Sequence, residues 1–63
     1  MRLMKLKEVM NNTGLSRSSV YKYISEGHFP KPVPTGERSV AWLDSEIDDW
    51  ILERVAQRDE LLV

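Results

Sequence analysis

Apolar residues recur along this chain at helical spacing in three places and alternate at strand spacing in a fourth. Leu6, Val9 and Met10 form a short amphipathic stretch closing on Asn11-Asn12-Thr13-Gly14, which is suited to chain reversal. Val20, Tyr23 and Ile24 mark a second helix. Ile47, Trp50, Ile51 and Val55 mark a third. Between the last two, Val40 and Trp42 alternate with Ser39 and Ala41, as a half-buried strand requires.

Local chemistry sets the boundaries. Ser16 is an N-cap for a helix beginning at Arg17, and Leu15 and Val20 stand at hydrophobic-staple spacing. Gly27 closes that helix after Glu26, and Pro30 discourages continuation. Pro30, Pro32 and Pro34 remove backbone donors and favour extended chain, so any strand there lies at a sheet edge. Lys31–Pro34 can pair with Ser39–Trp42 across Thr35-Gly36-Glu37-Arg38 as a hairpin. Asp44 caps the third helix, and Glu46 places a carboxylate at the positive end of its dipole.

These boundaries predict a mainly α fold with a small β-hairpin: a winged helix-turn-helix. Helix one covers about residues 6–12, the second helix about 17–26, the wing about 31–42 and helix three about 45–58, all in one domain over residues 1–63. The expected core is Leu6, Val9, Leu15, Val20, Ile24, Phe29, Val40, Trp42, Ile47, Trp50 and Ile51. Trp42 and Trp50 are expected to lock wing and third helix onto the helix-turn-helix, since each aromatic ring buries on the order of 150–250 Å². For Leu61-Leu62-Val63 the pattern leaves fraying and docking on a neighbour both open.

With 63 residues and no cysteine, the chain sits near the lower size at which a core holds without disulfide or metal. No apolar run approaches the roughly 20 residues of a membrane span, and Met1-Arg2-Leu3-Met4-Lys5 is too short and charged for a signal peptide, so the cytoplasm is the expected compartment. The net charge of −1 hides a division: residues 1–43 carry seven cations and three anions, whereas residues 44–63 carry two and seven. A polyanion would attract the first segment and repel the second.

Candidate chemistry concentrates on the second helix, whose outward positions are Arg17, Ser18, Tyr21, Lys22 and Ser25. Arg17 lies in the first turn, the end that enters the major groove in helix-turn-helix proteins. Ser18 and Ser19 are short-range phosphate donors that also suit a helix's first turn. Tyr21 combines a ring that covers core with a hydroxyl that meets phosphate. Lys22 faces solvent, Arg38 lies at the wing tip where a cation follows the backbone or enters a narrow minor groove, and Lys31 stays at the wing's base. His28 has no cysteine or second histidine beside it, so it is expected to be a surface residue and not a metal ligand. No phosphate-binding glycine loop, nucleophile motif or His/Cys cluster points to an enzyme or a cofactor. Asp48 and Asp49 point to different helix faces and serve solvation.

Four fragments in this order and spacing resemble the AlpA-type prophage regulatory proteins, of the MerR-like and excisionase-like winged-helix class. They are Gly14-Leu15-Ser16-Arg17-Ser18 with Val20-Tyr21; Gly27-His28-Phe29-Pro30-Lys31-Pro32-Val33; Gly36 with Arg38, Val40 and Trp42; and Glu46-Ile47 with Trp50. The resemblance covers nearly the whole chain. It implies a transcription factor of a prophage or integrated element that binds double-stranded DNA, with RNA polymerase or integrase as protein partners and homo-oligomers on DNA. An excisionase that bends attachment-site DNA is the alternative. A third reading is a protein-interaction module using the acidic third helix and Leu61-Leu62-Val63. Position 22 is lysine where the family usually has arginine, which exchanges a bidentate guanine contact for a point charge. Position 10 is methionine where many helix-turn-helix proteins carry a small residue.

Overall fold

The computed structural model describes residues 1–62. Its element order is β1 (Leu3–Met4), α1 (Leu6–Thr13), α2 (Arg17–Ser25), β2 (Val33–Pro34), β3 (Val40–Leu43) and α3 (Asp44–Leu62). Three helices and a small antiparallel sheet make the winged helix-turn-helix that the pattern predicts, with strand order β1-β3-β2. β2, the strand bearing Pro34, occupies an edge as its missing donor requires.

The helix-turn-helix is built from local bonds. Gly14 takes a left-handed conformation (φ 74°), and its N–H donates to the Met10 carbonyl at 2.9 Å, closing α1. The Thr13 hydroxyl donates to the Val9 carbonyl at 2.8 Å and accepts from the Leu15 amide at 3.3 Å, fixing the turn from the other side. Ser16 caps α2: its extended backbone (ψ 163°) places Oγ to accept the Ser19 amide at 3.2 Å. At the far end Gly27 (φ 77°) lets the chain reverse, and the His28 amide donates to the Tyr23 carbonyl at 2.8 Å.

The two indoles fasten the remaining elements to one short segment. Trp42 of β3 donates through Nε1 to the Pro30 carbonyl at 3.0 Å, and Trp50 of α3 donates to the His28 carbonyl at 2.7 Å. Phe29, between those acceptors, packs edge-on against Trp50 with ring centroids 5.0 Å apart. The expected locking role of both tryptophans is thus realised through the carbonyls of residues 28 and 30. Trp42 is fully buried, whereas Trp50 is half-buried.

The core comprises Met4, Val9, Val20, Phe29, Trp42 and Ile47, with Leu6, Met10, Leu15, Tyr23, Ile24, Trp50 and Ile51 partly buried against it. Three expectations need correction. Val40 is 40% exposed while its neighbour Ala41 is buried, so the strand's burial does not alternate as expected. Val40 stands opposite Pro34 at the turn end of the ladder, and the covered part of β3 begins one residue later. Met4 is buried although the pattern gave it no role, because Leu3–Met4 pairs with Leu43 and Trp42 as an edge strand.

The third correction concerns α3. Its 19 residues extend to Leu62, past the expected end near Arg58, and every residue from Leu52 to Leu61 is exposed, Val55 included. At 1.5 Å per residue the helix is roughly 28 Å long, which exceeds the two shorter dimensions of the molecule, 25 and 19 Å. Its second half therefore outruns the body that covers Ile47. Of the terminal apolar residues, Leu61 is exposed on the helix, and Val63 lies outside the described residues.

Asp44 also differs from a simple cap. Its carboxylate accepts the Ser45 amide and the Arg2 amide, each at 2.8 Å, and its own N–H donates to the Arg2 carbonyl at 2.8 Å. This prolongs the β1–β3 ladder by one pair and joins the N-terminus to the start of α3. Donation from two amides holds the Asp44 carboxyl below its ordinary pKa. Arg2 also grips Glu8 with both terminal guanidinium nitrogens, lowering the Glu8 carboxyl and raising the Arg2 guanidinium.

Candidate nucleic-acid interface

The candidate surface starts from the phase of α2. Advancing 100° per residue, Arg17, Tyr21, Ser25, Ser18 and Lys22 fall within an arc of about 140°, and Val20, Tyr23 and Ile24 fall on the other side. Burial follows this division: those five are exposed, Val20 is fully buried, and Tyr23 and Ile24 are half-buried against the core. Arg17 and Ser18 occupy the first turn, which the Ser16 cap orients.

Ser19 stands apart from its neighbours. It is partly buried, its amide donates to Ser16 Oγ, and its hydroxyl accepts from the Ser16 hydroxyl at 3.0 Å. Tyr21 has the two-sided character expected of it. It is 41% exposed, yet its ring meets Trp42 edge-on at 6.4 Å, so the outward face of α2 abuts the strand that carries the wing. Sequence reasoning missed this aromatic pair. The recurrence of aromatics at positions 21 and 42 was visible, but their register depends on the tertiary packing of helix on sheet.

Arg38 lies in the turn between β2 and β3, which the Thr35 amide closes onto the Ser39 carbonyl at 2.9 Å. Lys31 lies just before β2, exposed at the wing's base. Among the described residues, Arg17, Lys22, Lys31 and Arg38 have no carboxylate within 4.0 Å, and all four are exposed. Arg38 thus makes no ion pair with Glu37 or α3. Arg2 is different, since Glu8 already neutralises it. The free cations of the N-terminal segment therefore lie on α1 and its N-cap residue Lys5, on α2 and on the wing.

His28 is exposed, and what it contributes is its backbone carbonyl, the acceptor for Trp50. Among the described residues no group of three or more His, Cys, Asp or Glu converges as metal ligands. Also among them, no helix is long and apolar enough to cross a membrane.

Comparison with known proteins agrees with this architecture. The family model for the prophage CP4-57 regulatory protein (AlpA) matches residues 2–55, which run from the Arg2–Asp44 clamp through the helix-turn-helix and wing to the packed half of α3. The ORF88 protein of Enterobacteria phage P4 is 46% identical over 57 residues, covering 90% of this chain and 65% of its own length. The chain thus spans just under two thirds of that relative. The DNA-binding transcriptional activator AlpA of Escherichia coli K12 is 32% identical over 59 residues, covering 84% of each chain. On the family match and this shared length, the chain belongs to the AlpA family of prophage regulatory proteins.

Proposed function

We propose that this protein is a DNA-binding transcriptional regulator of prophage type. Its α2 enters the major groove, and its wing turn lies on the adjacent backbone or minor groove. The observation carrying this reading is the exposed arc of α2, where unpaired Arg17 and Lys22 flank hydroxyl groups and Tyr21, and where the Tyr21–Trp42 contact couples the helix to the wing strand. Membership of a regulatory family and likeness to a DNA-binding activator support it.

Arg17, in the first turn, reaches base edges and discriminates sequence, and Lys22 adds a point charge to the same groove. Ser18 and Tyr21 donate hydroxyls to phosphate, while Ser19 acts mainly by holding the cap that aims that first turn. Arg38 contacts the backbone or a narrow minor groove, and Lys31 adds electrostatic attraction. So few base contacts give useful specificity only on paired or repeated sites, or with help from polymerase or integrase.

A gel-shift assay on duplexes neighbouring the protein's own gene tests this reading. Arg17→Ala is expected to weaken the specific complex more than the nonspecific one. Arg38→Ala is expected to weaken both and to reduce the slope of log affinity against log salt by about one. Equal losses on all sequences for both variants would remove the division of labour, and absence of duplex binding would remove the proposal.

A further inference from the structure

On the other side of α2 from the proposed recognition arc lies a groove. Tyr23, about 160° around the helix from Tyr21, lines an opening of about 490 Å³ together with Leu15, His28, Trp50, Arg54 and Gln57. A second opening of about 610 Å³ shares His28, Trp50 and Arg54 with it and continues past Phe29 and Pro30 to Glu46, Asp49 and Glu53. Both volumes fall in the range of ligand clefts. Together they form one trough whose wall is the half-buried Trp50 ring.

That wall is already set. The Trp50 Nε1–H bond to the His28 carbonyl, the edge-on Phe29 ring and the Arg54 guanidinium 5.1 Å from the indole centroid fix its position. An occupant need not order it first, which removes one cost of binding. The polar rim is acidic. Glu46, Asp49 and Glu53 recur at i, i+3 and i+7 on one face of α3. Among the described residues, Arg54 is the only Lys or Arg lining the opening and reaches Glu53 at 4.0 Å, while Glu46 and Asp49 have no cation within that distance.

We infer that this trough is a docking site for a cationic segment of a second protein, with an apolar side chain seated against Trp50 and Phe29 and flanking Lys or Arg side chains paired with Glu46, Asp49 and Glu53. Charge complementarity selects this occupant, because three carboxylates against one guanidinium repel nucleic acid and anionic surfaces. Length sets the spacing: seven helical residues rise about 10 Å, which matches one three-residue turn of a polyproline-II segment, whose positions i and i+3 share a face. The segment therefore carries cations about three positions apart with apolar residues between them. Because the trough and the recognition arc lie on opposite sides of α2, the partner binds while duplex is bound. The docking site itself rests on the trough and its rim, and only the simultaneous binding of duplex rests on the proposed DNA reading.

Selection of a random dodecapeptide library on the intact protein tests it, with affinities of the selected peptides then measured by fluorescence anisotropy. The expected result is enrichment of Lys or Arg spaced about three apart around an aromatic or aliphatic residue. The variant carrying Glu46→Gln, Asp49→Asn and Glu53→Gln should lose at least tenfold in peptide affinity while keeping its circular-dichroism spectrum and binding duplex as well as or better than the parent. Arg17→Ala should leave peptide affinity unchanged, which separates this site from the DNA surface. Selected peptides without cationic bias, equal binding of scrambled peptides of the same charge, or undiminished binding by the triple variant would overturn the inference. Self-association in sedimentation that the triple variant abolishes, with no peptide competing, would replace the partner segment by a second copy of the chain.

Discussion

Trp42 ties β3 both to α2 and to the segment that links α2 with β2. Its ring is fully buried in the core, its N–H satisfies the Pro30 carbonyl, and its edge meets Tyr21 on the outward side of α2. Trp42→Ala is expected to cost about 3–5 kcal/mol, a large share of the roughly 5–15 kcal/mol typical of folded domains. Urea unfolding followed by circular dichroism reads this directly. Trp50→Phe should cost only about 1 kcal/mol, since a ring remains against Phe29 and one hydrogen bond is lost. Gly14→Ala meets no neighbour within 4 Å, so its penalty is the left-handed backbone alone, about 1–2 kcal/mol in the same assay. A negligible loss for Trp42→Ala would show that the wing does not depend on this anchor.

Two carboxyls near the N-terminus link stability to pH. Asp44 and Glu8 both titrate lower in the folded protein than in the unfolded chain, the first mainly through the Arg2 amide and the second through the Arg2 guanidinium. A depressed carboxyl stabilises the fold above its unfolded pKa, near 4, and that contribution is lost as pH falls through the folded value. Melting temperature is therefore expected to be level at neutral pH and to decline on acidification below about pH 5. Asp44→Asn should flatten that decline, and Glu8→Gln should do so less, since its guanidinium partner is solvated and screened. An acid limb identical in parent and Asp44→Asn would remove the clamp from this account.

Among the elements, those that local chemistry terminates were the legible ones. α2 begins at Arg17 as predicted and ends one residue short of Glu26, because cap, staple and closing glycine all lie within a few residues of each end. α1 and the edge position of β2 followed for similar reasons. β1 was not legible: two residues carry no period, and Met4 is buried only because residues 42 and 43 pair with it from the far end of the chain. The strand phase at Val40 failed likewise, since the covered length of β3 is set by what packs on it. Met4→Ala should therefore cost about 2–5 kcal/mol despite its terminal position. Leu61→Ser, on the exposed end of α3, should stay within about 0.5 kcal/mol. A Met4→Ala protein as stable as the parent would mean that β1 adds nothing to the core.

At the scale of the whole molecule, charge and shape are arranged together. The N-terminal cations that remain unpaired lie on α1 and its N-cap residue Lys5, on α2 and on the wing, whereas the last 20 residues, which include α3, carry seven anions against two cations. On the proposed function, a duplex is expected to be drawn to the first set and turned from the second, an orientation that weakens as salt shortens the screening length. The candidate residues Arg17, Ser18, Tyr21 and Lys22 were legible because helical phase alone separates outward from inward positions. The Tyr21–Trp42 contact and the sequestration of Ser19 by Ser16 were not, since both depend on atoms meeting in space.

On the proposed function the outward arc of α2 and the wing turn form one duplex-binding surface. Amide chemical-shift mapping of the intact protein titrated with duplex DNA tests it most directly. Perturbations are expected at residues 16–25 and 31–39, with the acidic turns of α3 from Glu46 to Glu53 unmoved. Shifts concentrated on α3, or on α2 without the wing turn, would contradict it.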